Sequence, residues 1–490
     1  DACSAAGGGT VVVSSGTYLT GTIYLKSNTE LHLEAGAVLR GSPDRGDYNP
    51  DDVFPENNVF SSERVSGAHL VIAYRAENVS ITGQGVIDGH SSSFFESADG
   101  AEHSASYRGH SGNFPLKGWR PGQMVFFCCC HNVAVQDVSL VNAPYWTLFL
   151  LGCSDVRVRG LMITNPPQTP NGDGIDIDCC SNVTVSDCII RSGDDSITLR
   201  GNARALGASK PCENVTVTNC VLSSPCNAIR VGVGDGMVRN CTFSNIVVTD
   251  SRTGINMVCR YSDRVPVGTC IQGIHFSDFT MDAVLPLQII QGAGAMAPAG
   301  MRDISFSRFH VSGAAGLYIG GNPDLPLERV RLIDWELALH GGTNNCELVE
   351  SVPYPYPVPG YSGLEGRAAL PCAIYGTHVA DVQFRNVRVH WADDISRVWH
   401  DGFVFEHVSG LALDHVVLRQ PRSGTGSAVR CRTVSDILVT GSHAQPGTGT
   451  FLQVTDSPEN SRVRCVGCDL MSAGQAFDAD VDIRESGNLR

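Results

Sequence analysis

Asn182-Val-Thr-Val-Ser-Asp187-Cys-Ile-Ile190 is the stretch whose reading decides the fold. Val183 and Val185 alternate with Thr184 and Ser186, a period of 2 that marks a strand with one apolar face. Asp187 then breaks the alternation, and a second short apolar run follows. The same phrase occurs upstream as Asn132-Val-Ala-Val-Gln-Asp137-Val-Ser-Leu140 and Asp155-Val-Arg-Val-Arg-Gly160-Leu-Met-Ile163, and downstream as Asn214-Val-Thr-Val-Thr-Asn219-Cys-Val-Leu222. Further copies start near Gly273, Asp303, Arg329, Asp381, Gly410 and Asp436. Successive copies lie roughly 20 to 35 residues apart, the spacing of a solenoid.

Strands this short cannot bury their apolar face alone, so each coil must stack on the next. No helical period of useful length interrupts them, and propeller blades need about 40 residues each. The pattern therefore predicts an all-β, right-handed parallel β-helix as a single domain over residues 1–490. The stretch 1–48, with strands near 10–13, 23–25 and 29–33, is expected to cap it. Two insertions interrupt the repeat, residues 89–125 with Phe94, Phe95, Tyr107, Phe114 and Trp119, and residues 341–375 with Tyr354, Tyr356 and Tyr361. Loops of this length usually carry function. Their aromatic residues either wall a groove or pack the loops onto the coils.

Composition narrows the function. The net charge is −15 and lysine occurs only at Lys26, Lys117 and Lys210, so no basic stripe for nucleic acid exists. No apolar run reaches the roughly 20 residues of a membrane span. The chain begins at Asp1 without a leader, which suggests a processed start and leaves export open. Cysteines number 19 and several are adjacent, as in Cys128-Cys129-Cys130 and Cys179-Cys180. Their recurrence at one place in the repeat fits small buried side chains, with a few disulfides as the alternative. Cys465-x-x-Cys468 lacks a second pair at zinc-site spacing, and no metal is expected there.

Two acidic motifs stand about one repeat apart, Asn171-Gly-Asp173-Gly-Ile-Asp176-Ile-Asp178 and Gly193-Asp194-Asp195-Ser-Ile-Thr-Leu-Arg200. Neighbouring coils are about 4.8 Å apart, so the spacing gathers Asp173, Asp194 and Asp195 into one patch. Strand parity sends Ile197 and Leu199 inward and Asp176, Asp178, Asp194, Thr198 and Arg200 outward. Asp173 and Asp195 have the wrong parity and are placed at strand ends or corners, since charge inside an apolar coil is too costly. Crowded carboxylates raise one another's pKa, and glycosidic bonds are cleaved by one protonated and one ionised carboxyl group. The alternative is an acidic Ca²⁺ site or a solvated face.

At these residues the chain resembles the polygalacturonase-like glycoside hydrolases, family 28. The likeness covers most of the sequence: Gly7-Gly-Gly-Thr-Val-Val-Val, Gly83-Gln-Gly-Val-Ile-Asp-Gly89, Asn142-Ala-Pro-Tyr-Trp146, and the acidic motifs, written in the family as Asn-x-Asp and Asp-Asp. It implies an inverting hydrolase without cofactor, with Asp194 as general acid and Asp173 and Asp195 holding and deprotonating the attacking water. Asn171 and Asp176 fall on motif positions that meet sugar. The resemblance departs where the family carries Gly-His-Gly and this chain reads Cys226-Asn227-Ala228. It departs again where the family's Arg-Ile-Lys reads Asn256-Met257-Val258. Asn227 can replace a hydrogen bond but not a titration. In the family that Arg and Lys read the galacturonate carboxylate; without them at Asn256 and Val258 plain polygalacturonan is doubtful, and Arg230, Arg200 or Arg260 is left to meet a substrate carboxylate.

The function expected is hydrolysis of an α-type bond in a pectic or related polysaccharide, in a secreted or periplasmic setting. Two other classes remain: a lyase, epimerase or glycosyl transferase, and a carbohydrate-binding β-helix that has lost activity.

Overall fold

The computed structural model describes residues 1–50, 63–96, 107, 113–260, 265, 267–292, 294–341, 372–393, 395, 399–424 and 426–490. The insertion bearing Tyr354, Tyr356 and Tyr361 lies outside them. The chain divides into two compact units, Asp1–Arg252 and Thr253–Arg490. Each is built of stacked parallel strands, and the fold is a right-handed parallel β-helix.

In the first unit one coil is Leu148–Leu151, Ser154–Arg159 and Met162–Thr164; the next is Ile175–Asp178, Ser181–Ser186 and Ile189–Arg191. They pair strand for strand and in parallel, with Val156 beside Val183 and Val158 beside Val185. The inward residues Leu148, Ile175 and Ile197 stack one on another and are fully buried. Each such aliphatic side chain contributes about 1.5–3 kcal/mol by leaving water.

The corner residues explain why the repeat begins with Asn, Asp or Gly. Asn132, Asp155, Asn182 and Asn214 have φ of 53°, 55°, 57° and 55°, a left-handed conformation that side chains other than Gly, Asn and Asp resist. Their side chains link the coils: Asn182 Nδ2 donates to Asp155 Oδ1 at 2.9 Å, and Asn214 Nδ2 to Asn182 Oδ1 at 3.1 Å. The later copies also have positive φ at Gly273, Asp303, Asp381, Gly410 and Asp436, and Arg329 adopts it as well although it is none of the three residue types.

Every described cysteine is a free thiol. Cys130, Cys153, Cys180 and Cys212 occupy one position on successive coils, as the main-chain bonds from Ser154 to Cys130, Ser181 to Cys153 and Glu213 to Cys180 show. All four are buried.

The N-terminal stretch, expected as the cap, stacks directly on the following coil. Strands Gly9–Val13, Gly16–Thr20 and Ile23–Leu25 pair in parallel with Thr29–Leu33, Ala37–Gly41 and Val71–Tyr74. They form the first coil, and with no coil beneath them Val11, Val12, Tyr18 and Leu19 stay exposed. Of the insertion at 89–125, Phe94 and Phe95 are buried and Trp119 meets Phe94 edge-on with centroids 5.1 Å apart. Tyr107 of the same insertion is buried and donates its hydroxyl to Asn165 O at 3.1 Å, which ties the loop to the coils.

In the second unit the strands run longer: Cys270–Ile290, Gly300–Gly313, Leu327–Leu339, Cys372–Trp391 and Asp401–Asp414. Phe279, Phe309 and Trp335 form a column inside it, with centroids 4.6 Å and 4.3 Å apart.

Candidate active site

In the first unit the outward row of residues changes character from coil to coil. Phe126 pairs with Phe149, Phe149 with Asp176, Asp176 with Thr198, and Thr198 with Arg230. The next row runs Leu151, Asp178, Arg200. Just before these strands the main chain links Asp173, Asp195 and Asn227 as equivalents: Gly174 N donates to Asp195 O at 2.8 Å and Ser196 N to Asn227 O at 2.9 Å. Asp173 therefore stacks under Asp195, and Asp194 stands one residue out of that register. Asp173 and Asp195 both sit at the corners that parity assigned to them. Gly174 permits the stacking, because a Cβ there would lie 2.4 Å from Ser196 O.

Most of this cluster is closed off. Asp173, Asp176, Asp178 and Asp195 are 3%, 0%, 0% and 1% exposed, whereas Asp194 is half-buried. Such carboxylates persist only when paired, and each is met differently. Arg200 donates from Nε to Asp176 Oδ1 at 2.8 Å and from Nη2 to Asp173 Oδ2 at 3.3 Å. Its guanidinium lies over the Trp146 ring, 4.0 Å from the centroid, a cation–π contact that holds the fork in place. Asp178 accepts from Asn202 N at 2.9 Å and Asn202 Nδ2 at 2.5 Å. Asp195 accepts from Asn227 Nδ2 at 2.5 Å through Oδ1 and from Arg230 Nη1 at 3.0 Å through Oδ2.

These surroundings push the titrations apart. Burial and the adjacent Asp195 charge raise Asp194 to about 7, against the pull of Cys226, Arg230 and Arg252. Asp195 feels burial too, but Arg230 and Asn227 outweigh it and hold its carboxyl below the usual range. Burial lifts Asp176 to about 7 although Arg200 opposes it, and burial with Asp176, Asp194 and Asp195 lifts Asp173 well above its ordinary value. A protonated Asp194 beside an ionised Asp195 is the division of labour that acid–base chemistry needs. Asp173 Oδ1, Asp176 Oδ2 and Thr198 Oγ1 are buried without a hydrogen-bond partner. Buried atoms of this kind are uncommon in folded proteins, and three of them gather here beside Arg200.

Among the described residues, the His, Cys, Asp and Glu side chains close enough to hold a metal ion are those of Asp194, Asp195 and Cys226. Both oxygens of Asp195 are already engaged by Asn227 and Arg230, and these with Arg252 make a poor cage for a cation.

The structure thus brings together Asp173, Asp176, Asp194, Asp195, Arg200, Asn227 and Arg230. It does not bring in the Asn171 amide oxygen, which accepts from Arg120 Nη2 at 2.8 Å and so anchors a neighbouring loop. Asn256 is 3% exposed and belongs to the second unit. In that unit Val258 packs in an apolar cluster with Ile290, Tyr318, Cys372, Tyr375 and Val404. Arg230, expected to meet a substrate carboxylate, has Nη1 committed to Asp195. Sequence reasoning missed the Trp146 support, the Asn202 cap and Arg252. Each depends on the register between coils, which no single motif carries.

Residues 3–207 match the model of the glycosyl hydrolases family 28. A probable polygalacturonase of Vitis vinifera is 26% identical over 284 residues, 56% of this chain and 54% of that protein. The chain therefore spans about half the length of that relative. The exopolygalacturonase of Yersinia enterocolitica shares the fold with a TM-score of 0.63 at 18% identity, over 83% of this chain and 73% of its own. That of Thermotoga maritima does so with a TM-score of 0.55 at 23% identity, over 69% and 81%.

Proposed function

We propose, from the match of residues 3–207 to the glycosyl hydrolases family 28, that the chain hydrolyses an α-type glycosidic bond in a pectic or related polysaccharide or oligosaccharide, with inversion. The observation that carries this reading is the convergence of Asp173, Asp194 and Asp195, in which both oxygens of Asp195 are engaged by Asn227 and Arg230 while Asp194 beside it is half-buried. Asp194, the most open of the cluster, gives its proton to the departing glycosidic oxygen. Water attacks the anomeric carbon from the opposite face and loses its proton to Asp195. Asp173, held by Arg200, orients that water. The carbon–oxygen bond to the leaving sugar breaks as the bond to water forms, and the proton gained by Asp195 is returned through solvent to Asp194. A polymeric substrate suits a secreted or periplasmic enzyme.

Asp176, Thr198, Asn227 and Arg230 line the sugar side of this reading. Polygalacturonan presents a carboxylate on every sugar to a protein of net charge −15. The family's cationic positions are Asn256 and Val258 here, so unsubstituted polygalacturonan is a poor substrate and a neutral or sparsely charged glycan is preferred. A lost charge pair of that kind costs about 2–5 kcal/mol.

The test is to incubate the wild type and Asp194→Asn with polygalacturonan and with neutral pectic side-chain, fructan and glucan oligosaccharides, following the anomeric protons of the product. Turnover of a neutral glycan with inverted product, falling at least about 10²-fold in Asp194→Asn, is expected. Full turnover by Asp194→Asn overturns the mechanism. Efficient cleavage of polygalacturonan by wild type and Arg230→Ala alike overturns the specificity, and an ultraviolet-absorbing unsaturated product replaces hydrolysis with elimination.

A further inference from the structure

We propose that Cys226 is a positioning residue for Asp194: its thiol holds the acid's carboxyl and passes to it the influence of Arg252. The proposal rests on the reading of Asp194 as the acid. Cys226 Sγ accepts from Arg252 Nη2 at 3.1 Å and from Asn227 Nδ2 at 3.2 Å. Sγ and one carboxylate oxygen each of Asp194 and Asp195 lie within 4.8 Å of one another. A sulfur that accepts two N–H groups has its own hydrogen left to give, and carboxylates are the acceptors beside it.

The main chain fixes this arrangement. Ser224 Oγ donates to Asp194 O at 2.5 Å and accepts from Cys226 N at 2.9 Å, while Arg252 N donates to Ser224 O at 2.9 Å. One serine thereby ties the corners of three coils together and sets the thiol against the acid. Asn227 Nδ2 also reaches Asp195, so the same amide touches the base and the sulfur that serves the acid. Burial and the charges of Asp194 and Asp195 keep the Cys226 thiol protonated, which suits a donor and rules out a nucleophile.

Of the groups facing Asp194, Asp195 raises it and Cys226, Arg230 and Arg252 lower it; Asp173 belongs to the same cluster. A donor to a carboxylate favours its ionised form. Removing the thiol must therefore raise the Asp194 titration, and the alkaline limb of kcat/KM, where the acid loses its proton, must move to higher pH.

The experiment compares pH profiles of kcat/KM for wild type, Cys226→Ala, Cys226→Ser and Arg252→Met on the best substrate found, with Asp194→Asn as reference. The alkaline limb is expected to rise by about one pH unit in Cys226→Ala. It should return toward wild type in Cys226→Ser, whose hydroxyl also donates, and rise in Arg252→Met. A merely structural cysteine would lower stability without moving the limb. An unmoved limb in Cys226→Ala, or a serine variant that matches alanine, overturns the proposal. If Asp194→Asn itself keeps full turnover, the reading of the acid fails instead, so the two failures are told apart.

Discussion

Asp195 is buried as deeply as its neighbours yet keeps its charge, because Arg230 and Asn227 each occupy one of its oxygens. Removing the cation should reverse that. In Arg230→Met the Asp195 titration rises, so the acidic limb of the pH profile, below which the base is protonated, moves to higher pH. At pH 5 kcat/KM should fall by more than about tenfold while the alkaline limb moves less. Profiles of the two proteins on one substrate decide it, and coincident acidic limbs refute the assignment of Asp195 as the base. The aspartates themselves were legible in the sequence, since carboxylates one repeat apart must converge. Their pairing was not. Alternation in Ile175–Asp178 fixes which face a residue takes but not where the strand starts, and one residue of register decides whether Asp173 stacks under Asp194 or Asp195.

The corner asparagines belong to the scale of the element. Asn182 supplies both a left-handed backbone and two side-chain bonds along the stack. Asn182→Ala should cost about 1–2 kcal/mol for the backbone alone, with the lost ladder bonds in addition. Asn182→Gly keeps the backbone and loses only the bonds, so its thermal midpoint should lie between wild type and alanine. A glycine variant as damaged as alanine would mean that the conformation contributes little. These corners were readable because the phrase Asn-Val-Thr-Val carries its own punctuation. The insertions were not readable, because nothing in the order of Phe94, Phe95 and Trp119 says whether they face a groove or the coils beneath.

Over the whole molecule the raised carboxyls leave a thermodynamic signature. Asp176 and Asp194 titrate near 7 in the folded chain, against 3.8 for an ordinary aspartate. A folded pKa above the unfolded one gives stability that is complete below about pH 4 and is lost as pH rises through 7. The carboxyls held below their ordinary value, such as Asp195 and the surface-paired Asp278, Asp303 and Asp436, act only at lower pH. The thermal midpoint of the full chain should therefore be higher at pH 5 than at pH 8. The gap should narrow in Asp176→Asn, and calorimetry across that range showing the opposite slope would contradict the burial of these groups as uncharged acids.

The outward row Phe126, Phe149, Asp176, Thr198, Arg230 gives each coil one residue to contribute. Such a surface is inherited in interchangeable parts. A change in one coil reaches its neighbours only through side chains, because the backbone ladder is indifferent to what the outward positions carry. Cys226-Asn227-Ala228 lies on one coil, beside coils that hold Asp173, Asp194 and Asp195. In a chain built this way a single replacement alters one address of the row while the carboxyl cluster stays where its own coils put it.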